Sequence, residues 1–372
     1  MNIPFYDATR EYKNLKAEFD KAIADVISSG AFILGKQVND FEEHIKTYTG
    51  ANYAIGVANG SDALLMASEI LGFKNAGILT PAFTFFASAS CIARLGGRPI
   101  FTDVEEDTFN MDMRDAENRI TKDTKGIIPV HLFLQTVDMD KCMYLAAKYK
   151  LSVLEDAAEA FGMKTLYNKK NHHAGTIGDF CVFSFFPTKT LGAYGDGGML
   201  VTNNEEHYKL AKSYRTHGAS KKYYHDYIGY NSRLDTLQAA ILQVKLNNIE
   251  NAIKMRAQHA EHYCQMLNDI SEIKLPIIKQ YNTPVNYVFS IQTQKRDKLD
   301  SYLKEKGIGT SIYYPVPLHL QKCFEYLSYK KGDFPVAEKL CQTSLSLPMF
   351  PELTNNEVDY ICDTIKEFYK KQ

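Results

Sequence analysis

The chain has almost no net charge: its 372 residues sum to a formal −1 at pH 7. Such a balance gives no field to gather nucleic acid or an anionic membrane surface. An anionic ligand must be held by local groups instead. No apolar run is long enough to span a bilayer. The opening stretch is charged from Asp7 onward and lacks a signal-peptide core, so a cytoplasmic protein is expected. Cysteine supplies no framework. Cys91, Cys142, Cys181, Cys264, Cys323, Cys341 and Cys362 are odd in number, widely spaced and free of any CxxC pair. A disulfide scaffold and a zinc knuckle are both excluded, and no metal is expected. Thiols in a reducing compartment fit better. Low-complexity segments and short repeats are missing. So is a GxGxxG after the first strand, which weighs against a nicotinamide oxidoreductase.

What is present is an ordinary globular balance, 45% apolar and 23% charged residues. The length suits one large domain, placed at 1–250, and a smaller one at 251–372. Ser61–Leu71 reads as a helix, with Leu64, Leu65, Ile70 and Leu71 on one face and Gly72 to end it. Ala76–Thr80 is a strand stopped by Pro81. Phe85–Leu95 is helical and Arg98–Val104 extended. Gly126–Phe133 and Leu151–Leu154 read as continuous apolar strands around the helix Met139–Tyr149. Strands buried on both faces have this pattern in parallel sheets. Phe180–Phe186 and Gly198–Thr202 are two further extended runs. The alternation predicts an α/β fold, a mostly parallel central sheet flanked by helices. Leu234–Met266 reads as one long helix bridging to a small α+β domain. That domain holds the strands Tyr287–Thr293 and Gly309–Tyr314, the helix Lys298–Lys306 and a last helix near Asn356–Tyr369.

Three segments carry chemistry. In Phe183–Gly198 a strand runs into Pro187 and then Lys189, with four glycines close behind. A lysine in such a turn is partly desolvated, which disfavours the ammonium and leaves an amine able to form a Schiff base. The plain alternative is a surface lysine in a mobile loop. In Val153–Ala160, Asp156 follows a buried strand, at the edge where open α/β sheets bind ligands. A carboxylate there can keep a pyridine nitrogen protonated, or can simply cap the next turn. In Ala58–Leu64, Asn-Gly-Ser opens a helix whose amides and dipole favour a phosphate, though the same triplet is a common turn. Phe85, after the next strand, can lie over a flat ligand or sit in the core.

Together these segments resemble the pyridoxal-phosphate (PLP) dependent nucleotide-sugar aminotransferases of the DegT/DnrJ type, within the aspartate-aminotransferase fold group. Gly30–Gly35, Asn231–Ala240 and Tyr314–His319 extend the likeness over nearly the whole chain. The resemblance implies fold type I and a two-step transamination from L-glutamate, which leaves as 2-oxoglutarate. The cofactor alternates between PLP and its pyridoxamine form. Lys189 would hold the cofactor and carry the proton, and Asp156 would pair with the pyridinium nitrogen. Phe85 would stack on the ring, and Gly60, Ser61 and Ser184 would hold the phosphate. Asn231 and Arg233 would reach that phosphate from the neighbouring subunit of a homodimer with shared active sites. A surface salt bridge with Asp235 is the plain alternative for Arg233. Tyr314 falls where the family places a tyrosine near the sugar.

The chain departs from the family pattern in three places. Glu159 stands where glutamine is usual, near the ring oxygen of the cofactor. Leu134 replaces a glycine, and Tyr313 replaces a histidine. His131, His217 and His319 are candidate substrate contacts or structural histidines. The run from His217 through Tyr224 and Ile228 to Ile241 resembles the branch that aminates C3 of UDP- or dTDP-linked 3-keto sugars. The C4 branch acting on 4-keto-6-deoxy sugars is the alternative. Amino sugars of this kind enter bacterial surface polysaccharides such as O-antigen. Sugar 3-dehydratase relatives carry histidine in place of the lysine, so Lys189 points away from them. A non-catalytic sensor on the same fold is the alternative from another class.

Overall fold

Short apolar runs, buried on both sides, become the strands of one central sheet in the computed structural model, which describes residues 1–371. They are β1 (Tyr53–Val57), β2 (Gly77–Pro81), β3 (Arg98–Thr102), β4 (Thr124–Ile127) and β5 (Ser152–Asp156). After a side hairpin of β6 (Lys164–Tyr167) and β7 (Lys170–His173) come β8 (Phe180–Ser184) and β9 (Gly198–Thr202). The order across the sheet is β1-β9-β8-β5-β4-β2-β3, and only β9 runs against the rest.

Parallel neighbours need crossovers, and helices supply them. Three helices precede the sheet: α1 (Ala8–Asn14), α2 (Lys16–Ser29) and α3 (Lys36–Thr49). Between and after the strands come α4 (Gly60–Ile70), α5 (Ala87–Arg94), α6 (Met113–Asn118), α7 (Met139–Tyr149), α8 (Glu205–Tyr214) and α9 (Thr236–Asn247). Alternate strand residues face opposite sides of a sheet. Ile78, Leu154, Val182 and Leu200 therefore pack with α4, α5 and α8, while Leu79, Val153, Cys181 and Val201 face α3, α7 and α9.

α10 (Ile249–Leu267) leads into a second core with α11 (Arg296–Glu305) and α13 (Asn355–Lys370), while α12 (Pro335–Thr343) packs Ala337, Leu340 and Cys341 into the large core. Two small strand pairs precede and accompany it. β10 (Ala219–Lys221) and β11 (Tyr224–His225) form an exposed hairpin, and β12 (Asn282–Thr283) adds to β6. β13 (Phe289–Gln292) and β14 (Ser344–Leu347) pair antiparallel, with Phe289, Ile291, Leu345 and Leu347 inside that second core. We place the lobe boundary near residue 250, at the break between α9 and α10. The chain crosses it again, because Tyr287 and Leu318 pack into the large core and Ile3 into the small one.

Three elements differ from the sequence reading. The strand expected over Gly126–Phe133 ends at Ile127. Pro129 has no N–H to give a ladder, and the following residues bend into a loop in which Phe133 takes a left-handed φ of 60°. The long helix expected over Leu234–Met266 breaks at Asn248, whose φ of −109° is not helical. Gly309–Tyr314 makes one isolated bridge, Ser311 to Ser346, instead of a strand. No helix among the described residues is long and apolar enough to cross a membrane.

Candidate active site

Four parallel strands bring their carboxyl ends to one edge, and each delivers different chemistry to the same cleft. β1 leads to the start of α4, β2 to Thr84 and Phe85, β5 to Asp156 and Glu159, and β8 to Ser184 and Lys189. Tyr287, Tyr313 and Tyr314 close the cleft from the C-terminal side. The cavity measures about 590 Å³. Ligands collect at this edge of α/β sheets because loops and helix N-termini converge there.

Lys189 sits in a tight turn after β8, its N–H bonded to the Phe186 carbonyl at 2.8 Å. The turn requires Gly192, where an added Cβ would lie 2.4 Å from the Pro187 oxygen. The side chain is 15% exposed, and Nζ donates to Glu159 Oε1 at 3.1 Å. It also lies 4.5 Å from the centre of the Tyr287 ring. Burial works against the ammonium here, but the Glu159 carboxylate and the Tyr287 phenol outweigh it and hold Lys189 above the ordinary lysine range. This corrects the expectation that desolvation alone frees the amine.

Asp156 ends β5 and is 4% exposed. Its Oδ2 accepts from Ser88 Oγ at 2.7 Å, and its Oδ1 accepts the Ala158 N–H at 3.2 Å. Burial raises its carboxyl above the usual range against the pull of those two bonds. The capping role is therefore real but partial, since Oδ2 faces the cleft wall with one hydroxyl donor. A buried carboxyl of this kind ionises readily only beside a cation.

The phosphate side is a cradle. The Asn59 side chain caps α4 by accepting the Asp62 N–H at 2.8 Å. The amides of Gly60 and Ser61 find no acceptor among the described residues. Helix N-termini with free amides attract anions. A Cβ on Gly60 would lie 2.9 Å from Ser184 Cβ, so glycine is what lets α4 approach β8. The Ser184 hydroxyl accepts the Phe186 N–H at 3.3 Å and keeps its own hydrogen for a ligand. Phe85 is 58% exposed, its ring 6.4 Å from that of Tyr314. A large aromatic held open beside a cavity is a platform for a flat ligand. A phosphorylated pyridine aldehyde fits this set: amides and hydroxyl for phosphate, Phe85 for the ring face, Asp156 for the ring nitrogen and Lys189 for the aldehyde.

Other candidates lie elsewhere. Asn231 is exposed, with its backbone bridged to Thr216, and lies outside this chain's own cleft. Arg233 is half-buried and forms no ion pair among the described residues, so the salt bridge with Asp235 is not made. His217 is exposed at the head of the β10–β11 hairpin, its carbonyl accepting from His225 Nδ1 at 2.9 Å. His319 is buried 3.1 Å from Glu338 Oε1, and burial lowers its pKa. It does not line the cavity. Packing against Phe334 at 4.6 Å between ring centres makes it structural, which corrects the expectation of a sugar contact. His131 is likewise structural: Nε2 pairs with Glu155 Oε2 at 2.8 Å and Nδ1 accepts the Val137 N–H at 3.2 Å. Sequence reasoning missed Ser88 and Tyr287. Ser88 lies one helical turn past Phe85, a spacing that marks a shared face; Tyr287 arrives from far along the chain with no local signal.

Comparison with known proteins agrees with this geometry. Residues 13–366 match the DegT/DnrJ/EryC1/StrS aminotransferase family. A Geobacillus stearothermophilus protein named pleiotropic regulatory protein is 44% identical over 100% of this chain and 99% of its own length. The UDP-2-acetamido-2-deoxy-3-oxo-D-glucuronate aminotransferase of Pseudomonas aeruginosa is 37% identical over 97% of this chain and 98% of its own. Among solved structures, DesV of S. venezuelae in complex with a ketimine intermediate superposes with a TM-score of 0.95, at 34% identity over 99% of this chain and 98% of that one. The chain belongs to the DegT/DnrJ/EryC1/StrS aminotransferase family of PLP-dependent enzymes, with the α/β fold of that group.

Proposed function

We propose that this enzyme moves the amino group of L-glutamate onto C3 of a keto sugar carried on UDP or dTDP, in two half-reactions. The observation that carries this reading is the convergence of Lys189, Asp156, Phe85 and the start of α4 on one cavity. The 3-oxo sugar named for the P. aeruginosa relative supports the C3 assignment.

When bound, PLP supplies a carbonyl for amine capture and a ring that takes up the electron pair left on carbon. Lys189 Nζ is the capturing amine and, once displaced, the base that carries a proton between donor or sugar carbon and cofactor carbon. Asp156, backed by Ser88, keeps the ring nitrogen protonated. Gly60 and Ser61 hold the phosphate through their amides, with Ser184 adding a hydroxyl. Phe85 covers the ring and excludes water from that face. Glu159 completes the cofactor side, and Tyr314 borders the sugar side.

Among the described residues lining the cleft, Lys189 is the one lysine or arginine. Arg233 has no ion-pair partner among the described residues, and it is free to serve a second copy. The side of the chain carrying it is rich in exposed apolar groups, Ile228 at 94% and Tyr223 at 82%. Such surface favours association. The reading therefore includes a homodimer in which Asn231 and Arg233 reach the partner's phosphate and His217 its substrate. It also includes a cytoplasmic enzyme that feeds surface-polysaccharide synthesis. All seven cysteines are free, in keeping with a reducing compartment.

The test is product analysis. Pyridoxamine-loaded enzyme is incubated with a UDP-linked 3-keto sugar and the product examined by NMR. An amine on C3 is expected. An amine appearing only on C4 of a 4-keto-6-deoxy substrate contradicts the regiochemistry. The regulatory name of the G. stearothermophilus relative favours a second reading, a sensor without turnover. Failure of every amino donor to convert the bound cofactor would move that reading forward.

A further inference from the structure

Glu159 uses its two carboxylate oxygens differently. Oε2 accepts the Phe133 N–H at 3.2 Å, while Oε1 faces Lys189 Nζ at 3.1 Å. The Phe133 amide is aimed there by a backbone at φ 60°, a conformation non-glycine residues adopt only when the surroundings impose it. The surroundings do impose it. Asn110 Oδ1 accepts the Leu132 N–H at 3.0 Å, Asn282 Nδ2 donates to the Leu134 carbonyl at 2.7 Å, and Asn282 Oδ1 accepts the Thr136 N–H at 3.0 Å. The loop after β4 thus fixes one oxygen of Glu159 and leaves the other to a single partner, the nucleophile.

We propose that Glu159 is the proton holder for Lys189: with one oxygen pinned by Phe133 and the other on Nζ, its carboxylate keeps the lysine charged until cofactor arrives. The groups facing Lys189 are Asp156 at the end of β5, Glu159 from the segment after it, Tyr287 from the approach to β13, and Tyr313 and Tyr314 after α11. Among the described residues, Glu159 is the carboxylate whose oxygen lies within hydrogen-bond distance of Nζ. Asp156 is turned to Ser88 and Ala158. Burial lowers the lysine's affinity for its proton and Glu159 raises it, with Glu159 and Tyr287 prevailing.

The step balances. The proton leaves Lys189 Nζ for solvent water, against the hold of Glu159, and the freed lone pair bonds to the aldehyde carbon of PLP. The aldehyde oxygen then departs as water with the two remaining amine hydrogens, leaving a C=N bond.

The inference rests on the Schiff-base role proposed for Lys189, and not on which sugar carbon is aminated. The experiment measures the rate at which full-length, cofactor-stripped protein captures added PLP, by visible absorbance, from about pH 6 to about pH 9. Borohydride reduction and peptide mapping identify the lysine used. In the wild type the rate should still be climbing with pH at the alkaline end. Glu159→Gln keeps the shape and the Phe133 bond but removes the charge. Its profile should shift at least one unit toward acid, giving capture about tenfold faster near neutrality. Glu159→Asp should stay closer to wild type than Gln does. Superimposable profiles for wild type and Gln, or slower capture by Gln, would overturn the inference. Should the Gln variant lose the native circular dichroism, the wild-type profile decides. A plateau below the ordinary lysine value of about 10.4 contradicts the proton-holding role, and a rise that continues past that value, with the profile extended to about pH 11, supports it. Capture mapped to a lysine other than Lys189 would overturn the earlier reading as well, so the two failures are distinguishable.

Discussion

At Asp156 a single carboxyl serves two states. Without a cation beside it, burial favours the protonated form; with a pyridinium beside it, the carboxylate wins. The linkage follows from the sign. Its pKa in the folded chain lies above the unfolded value, so its favourable contribution to the cofactor-free fold is present at low pH and is lost as pH rises through the folded value. Asp156→Asn should therefore stabilise the cofactor-free protein near pH 8. That advantage should shrink on acidification, as read by urea unfolding. The same variant should lose about a hundredfold or more in kcat, because the ring nitrogen loses its counter-charge. Ser88→Ala removes a hydrogen bond to a charged acceptor, and about a tenfold fall in kcat is expected in steady-state assays. Much of the site was legible at this scale. Lys189, Asp156, Gly60 and Ser184 each stand at or just past a strand end, where short-range pattern and sheet topology coincide. Ser88, Tyr287 and the Phe133 amide were not, because they reach the cleft through tertiary contacts or an unusual φ that no local pattern encodes.

Elements set how closely these groups approach. Gly60→Ala places a methyl 2.9 Å from Ser184 Cβ and should push the start of α4 off β8. Overpacking of this order costs about 1–3 kcal/mol. PLP affinity should fall about tenfold or more, measured by fluorescence titration, with lysine chemistry otherwise intact. Away from the cleft lining, α1 is tied to α13. Arg10 Nη1 donates to Glu357 Oε2 at 2.8 Å, and Nη2 makes a second bond to Oε1 at 2.6 Å. Glu357 also closes the capping box of α13 with Thr354. The Arg10 bond holds the Glu357 carboxyl down from 4.5 to about 2. Because the folded pKa is depressed, the stabilisation is present above the unfolded value and disappears as pH falls through the folded one. Arg10→Met should cost about 1–2 kcal/mol at neutral pH. The difference from wild type should vanish as pH approaches about 2, where acid unfolding of the two proteins should converge. Helix α7 and strand β9 were legible to the residue, since periodicity, caps and buried runs agree there. The end of β4 and the break at Asn248 were harder. An apolar run does not show where Pro129 stops the ladder, and helical composition continues across a single non-helical residue.

For the whole molecule the sheet topology was legible as a class, an alternating α/β chain, but the antiparallel insertion of β9 between β1 and β8 was not. Nothing local in Gly198–Thr202 distinguishes a reversed strand from a parallel one. The dimer reading makes a quantitative statement at this scale. If Arg233 completes the partner's site, Lys189→Ala and Arg233→Ala proteins should each be nearly inactive alone. Mixed and allowed to exchange subunits, they should recover about a quarter of wild-type activity, since half the dimers are hybrid and each hybrid has one intact site. No recovery despite verified exchange contradicts a shared site. The central claim is tested most directly by the visible spectrum of the purified protein before and after glutamate. A yellow band that bleaches with release of 2-oxoglutarate, and that is missing in Lys189→Ala, is the expected result. Protein that stays colourless with added PLP, or a band that glutamate and other amino donors leave unchanged, would contradict the assignment of this cleft as a transaminase site.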